Sequence, residues 1–166
     1  MALNILFTIV GVFAILFFES FLTALFGFKL MILLFLFLFK KVDWKVLALL
    51  FSLLFFILDV VNNLPLGSNL LISSITLGLL MISSLFFSVD SDITGSFVRI
   101  FIFAIYYILL KILPSFFLSG RLGALGFGDL FSALIKGIVS TLLILLLEYI
   151  LAGFRERGNS SQIRLK

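Results

Sequence analysis

An all-α membrane domain of about six transmembrane helices is the fold class this sequence predicts, and three observations predict it. The chain is 63% hydrophobic and only 12% charged, with a mean hydropathy of +1.37, so it cannot cover a globule with polar side chains. Its apolar runs recur at lengths near the ~20 residues that a bilayer core asks of a helix. Charges, Pro, Gly and Asn gather between those runs, where helices end. The 166 residues then divide into a transmembrane domain over 1–153 and a basic tail over 154–166, leaving little chain for a soluble domain. Cys and His are both absent, which removes thiol catalysis, disulfides, thiolate and imidazole metal sites, and His-based general bases. No cofactor, metal or nucleic-acid partner is expected.

The first span covers 2–21. Its opening, MALNILFTIVGVFAILFFES, lacks a basic leading region and a small-x-small cleavage site, so it reads as a span rather than a removable signal. The second apolar run, 28–39, rises only about 18 Å against a hydrocarbon core of about 30 Å. A re-entrant segment, or fusion with the first span to leave five crossings, is the alternative to a separate helix. After the basic loop KKVDWK come spans over 46–61, 69–89, 97–117 and 129–153, with Pro114 expected to end the fifth. Six crossings place Lys40, Lys41, Lys45, Arg99, Arg155, Arg157, Arg164 and Lys166 on one side and Lys29, Lys111, Arg121 and Lys136 on the other. That division, about two to one, puts both termini in the cytoplasm by the positive-inside rule. The tail FRERGNSSQIRLK suits a solvated anchor near anionic lipid headgroups.

Four ionisable residues then reach a similar depth from four helices. Glu19, Asp59, Lys111 and Lys136 all fall in the outer third, and an ionisable group inside a bilayer faces protein or water and finds a counter-charge. An outer polar cluster is expected, with Asp59 beside Lys136 or Lys111. Independent snorkelling of each side chain is the alternative. Glu148, near the cytoplasmic end of the last span, needs only snorkelling or Arg155.

The segment FFILDVVNNLPLGSN shows why a carboxylate interrupts an apolar run. Asn62 and Asn63 can cap the third helix, Pro65 cannot continue it, and Gly67 permits a tight turn before Ser68 or Asn69 opens the fourth. Small-x-x-x-small patterns mark close helix approach. They occur at Ser74 and Gly78, and at Ala133, Gly137 and Thr141, with docking of a partner's helix as the alternative to packing within the chain.

The third span's end resembles that of the MreD family of rod-shape-determining membrane proteins, whose segment reads roughly Leu-x-Asp-hydrophobic-hydrophobic-x-x-x-x-Leu-Gly. The matching residues are Asp59, Val60, Val61, Leu66 and Gly67, with Leu58 directly before the aspartate, and Asn62, Asn63 and Pro65 lie between them. Chain length, a short second span before a basic loop, and a basic tail agree in layout. The resemblance implies a non-enzymatic scaffold of the bacterial inner membrane that binds a bitopic MreC-like protein. Through it, MreB filaments would be linked to the peptidoglycan synthase RodA and its transpeptidase, with membrane lipid around the spans. It also implies a fold similar to the substrate-binding subunits of energy-coupling-factor transporters.

Two other functions compete. GFGD, 126–129, matches the Gly-x-Gly-Asp of intramembrane aspartyl proteases, with Asp59 as a second carboxylate able to share a proton. The residues after each aspartate depart from that family, and Asp129 as N-cap of the last helix is the simpler expectation. Ser132 and Lys136, at i and i+4, form a weak Ser-Lys candidate. The third function is small-molecule binding as a transporter subunit, with the outer polar cluster as ligand site.

Overall fold

Residues 2–39, 43–87 and 92–162 are described by the structure, a computed structural model. Lys40, Lys41, Arg164 and Lys166, on which part of the charge asymmetry rests, lie outside them. The described residues form six α-helices and no strand: α1 (Ala2–Phe26), α2 (Leu30–Phe39), α3 (Trp44–Val61), α4 (Ser68–Phe86), α5 (Asp92–Ser119) and α6 (Phe127–Gln162). Four of them, α3, α4, α5 from Thr94 and α6 as far as Leu151, are long and apolar enough to cross a membrane. Their outward faces carry large exposed side chains such as Leu49, Leu53, Leu85 and Phe101. Lipid would solvate these faces as well as another apolar side chain does. The described residues are therefore all-helical apart from their turns, and the four apolar helices make the chain a multi-pass membrane protein.

Helices adjacent in sequence pack together, α5 against α6 most extensively, and α2 also touches α6 to close the ring. The short α2 is the centre of the core. Met31, Ile32 and Leu33 are almost fully buried, and the remaining positions are buried or half-buried all round, as expected of a helix that is apolar on every face. Its 10 residues rise about 15 Å, which suffices because protein rather than lipid surrounds it. It is separate from α1, from which Gly27 at φ 59° and the 27–29 turn divide it.

The two small-residue patterns have different fates. On α6, Ala133, Gly137 and Thr141 are buried, and a Cβ on Gly137 would lie 2.6 Å from the Ile100 carbonyl oxygen of α5. That glycine sets the α5–α6 spacing. On α4 the buried face is Ser68, Asn69, Ile72, Ser73 and Thr76. Ser74 is exposed and donates to its own Leu70 carbonyl at 2.8 Å, while Gly78 has nothing within 4 Å of a would-be Cβ.

Several boundaries differ from those the sequence predicts: α1 runs to Phe26 rather than 21, and α5 starts at Asp92 rather than 97. Pro114 does not end α5, which continues to Ser119; a proline removes the bond to the carbonyl four residues back, here Leu110, but packing can carry the helix through. At the other end of the chain, α6 runs on through Gln162, so the polar tail continues the last span as a helix at least that far.

The turns 27–29, 62–67 and 120–126 all contribute to one cavity and therefore lie together, at what we term the hairpin end.

Candidate functional site

At the hairpin end each of three helices starts at a turn, and each start is held by a carboxylate. The free N–H groups of a helix's first turn carry partial positive charge, so a carboxylate there serves both a hydrogen bond and the dipole.

Asp59 is the most completely used. It is 0% exposed. Oδ2 accepts the Gly67 N–H at 2.7 Å, and Oδ1 accepts both the Asn69 N–H at 3.0 Å and Asn69 Nδ2 at 2.8 Å. Its own carbonyl accepts the Leu64 N–H at 2.8 Å, and Asn62 Nδ2 donates to the Leu58 carbonyl at 2.8 Å. Pro65 accepts from the Ser68 N–H at 3.1 Å. The chain reverses through Asn63 at φ 52° and Gly67 at φ 87°, the left-handed region that Asn and Gly tolerate best. Leu58 is buried beneath the corner and Leu66 is exposed on it.

Glu19, from α1, does the same for α2 with one oxygen. Oε2 accepts the Leu30 and Met31 N–H groups at 2.5 and 3.0 Å. Oε1 is buried with no hydrogen-bond partner among the described residues. Next to it the Lys29 N–H donates to the Tyr107 hydroxyl at 3.2 Å, tying the turn to α5.

Asp129 serves α6. It is the third residue of that helix rather than its N-cap, because α6 begins at Phe127. From there Oδ2 reaches back to accept the Gly126 N–H at 2.8 Å and also pairs with the Lys111 ammonium, as the acidic member of a capping box does.

The sequence-predicted cluster is thus brought to one end, but not as ion pairs. Asp59 is taken by amides, Lys111 by Asp129, and the Lys136 ammonium stands 5.5 Å from the centroid of the Tyr107 ring, in cation–π range. The cation within electrostatic range of both Glu19 and Asp59 is Lys29, only 7% exposed. Sequence reasoning counts Lys29 merely among the outer cations, although its place in a three-residue turn behind Glu19 is a signal that could have found it. Glu148 pairs across the bundle with Arg99 at 3.2 Å, and the Arg155 side chain lies outside the described residues. Asp59 and Asp129 have separate partners, and Ser132 makes no hydrogen bond to Lys136 among the described residues.

Lys29, Lys111, Asp129 and Lys136, with Thr23, Asn62, Tyr107 and Ser132, line a cavity of about 410 Å³. Ser132 and Lys136 also belong to an apolar groove of about 560 Å³ between α1 and α6. No group of three or more Asp and Glu side chains arranged for a metal occurs among the described residues. No family model matches this sequence, and neither a curated protein nor a solved structure is significantly similar to it.

Proposed function

We propose that the chain is a non-enzymatic scaffold of the bacterial inner membrane, of the MreD type. It crosses the membrane six times with the hairpin end outside and both termini in the cytoplasm. Its partner is a bitopic MreC-like protein, through which it joins MreB filaments to RodA and its transpeptidase. The observation that carries this reading is the corner from Leu58 to Gly67. The residues of the family-like motif form a rigid turn in which every oxygen of Asp59 is occupied by a donor, which suits a fixed structural element better than a reacting carboxylate. On the helix that leaves this corner, Ser74 and Gly78 form a small-residue face that no helix among the described residues covers closely. Ser74 also borders a hollow of about 240 Å³ between α3 and α4, lined by Trp44, Phe51 and Leu77. A partner's transmembrane helix could approach there to backbone distance.

A second reading, a small-molecule-binding subunit, is favoured by the hairpin-end cavity alone. Copurification of the tagged chain from its host membrane, with bound proteins and small molecules identified by mass spectrometry, separates the two. Recovery of an MreC-like protein, lost in Gly78→Leu, supports the scaffold. Recovery of ATPase subunits or a stoichiometric small molecule in its place contradicts it.

A further inference from the structure

The cavity at the hairpin end has three ammonium groups and one carboxylate on its wall. Asp129 spends its charge on Lys111 and on the Gly126 amide. Lys136 has an aromatic face as its neighbour. Lys29 is buried, and neither of the two carboxylates in its range forms a direct ion pair with it; the ion pairs among the described residues are Lys111–Asp129 and Arg99–Glu148. Glu19 and Asp59 give their hydrogen-bonding oxygens to helix starts behind the cavity. Three lysines against one aspartate leave the lining net positive, and an anion bearing several oxygens could take hydrogen bonds from more than one lysine, as phosphate does.

The cavity is not closed on the membrane side. Lys136 and Ser132 form the edge it shares with the groove between α1 and α6. That groove is walled by Leu22 and Phe26 from α1 and by Phe131, Ile135, Val139 and Leu143 from α6. The α6 residues recur every fourth position, a stripe rising about 18 Å along the helix. The α1–α6 pair is absent from the helix pairs that pack extensively, so the seam stays open. A polar cationic head-site continuous with an apolar track in a membrane protein matches one class of molecule, an amphiphile with an anionic head.

We infer that the cavity and groove together bind a phosphate-bearing anionic lipid, its headgroup among Lys29, Lys111 and Lys136 and one acyl chain along the α1–α6 seam. This goes beyond the scaffold reading and does not depend on it: a scaffold without this lipid, or this lipid on a protein of another function, are both distinguishable results.

The test is native mass spectrometry of the detergent-purified, delipidated full chain. Dioleoyl phosphatidic acid and dioleoyl phosphatidylcholine are added at equal concentration, and inorganic phosphate is then titrated in as a competitor. One phosphatidic acid per chain is expected, bound about tenfold more tightly than phosphatidylcholine, the difference one charge-assisted contact supplies. Lys136→Met and Lys111→Met should each abolish the preference, and Lys45→Met, remote from the cavity, should keep it. Ile135→Trp, at an exposed position where folding is not at stake, should weaken phosphatidic acid by obstructing the groove. Equal binding of the two lipids, or an unchanged preference in Lys136→Met and Lys111→Met, would overturn the site. Displacement by inorganic phosphate, together with an unaffected Ile135→Trp, would assign it to a free anion and overturn the lipid.

Discussion

Glu19 and Asp59 hold adjacent turns at the same end of the bundle, are equally buried, and differ in how many of their oxygens are used. Asp59 accepts three hydrogen bonds over both oxygens, from backbone and from Asn69, whereas Glu19 accepts two on Oε2 and leaves Oε1 without a partner. A buried carboxylate costs more the more of its lone pairs are left unmet. Asp59 therefore fixes the α3–α4 corner through both oxygens, although the Ser68 Oγ of that corner is buried without a partner among the described residues, while the α1–α2 turn leaves Glu19 Oε1 unmet beside a buried lysine and an open cavity. The first is the structural element, and the second borders the place where something can bind.

Substitutions at the two carboxylates should differ in the same order. Asp59→Leu should have the largest effect, because it strands three donors, each worth about 1–3 kcal/mol when buried and unmet. No monodisperse protein is expected on size-exclusion chromatography in detergent. Asp59→Asn comes next. One of the two oxygens must become an NH₂ facing a donor, so a loss of about 1–3 kcal/mol is expected as a lowered thermal midpoint. Glu19→Gln should do much less. The single oxygen it needs is retained, the new NH₂ falls where Oε1 had no partner, and Lys29 keeps Asp59 in range; a shift below about 1 kcal/mol is expected. A destabilisation by Glu19→Gln equal to that of Asp59→Asn would erase the distinction. Asp129→Asn should be smallest in stability, because that cap is at the surface, where solvent screens the pair with Lys111; thermal midpoints for the whole series check the ranking.

Much of this was legible in the sequence, for identifiable reasons. Apolar run length fixes the membrane class and most helix positions. The Asn-Asn-x-Pro-x-Gly composition behind Asp59 fixes the corner, since each residue there has a local reason to be in a turn. The pattern at Ala133, Gly137 and Thr141 predicts a close helix approach, which Gly137 makes against α5. Less accessible were the features set by tertiary contact. Depth along a helix can bring Glu19, Asp59, Lys111 and Lys136 to one level, but it cannot say that amides rather than lysines would satisfy the carboxylates. Those amides belong to the following helices, and only the turn geometry delivers them. The short second run is ambiguous for the same reason: whether ten residues suffice depends on what surrounds them. Pro114 misleads because the penalty for a proline in a helix is local, and neighbouring helices can absorb it.

The three carboxylate-held turns lie together, and in the six-crossing topology we propose they share one face of the membrane. The natural absence of cysteine allows this to be measured without removing any residue first. Single substitutions Leu66→Cys, Ala124→Cys and Lys45→Cys, treated in intact cells with a membrane-impermeant maleimide, report the side of each position. Labelling of Leu66→Cys and Ala124→Cys from outside, with Lys45→Cys labelled only after lysis, is the result predicted. Labelling that separates Leu66→Cys from Ala124→Cys would place the turns on opposite faces of the membrane and rule out a shared hairpin end.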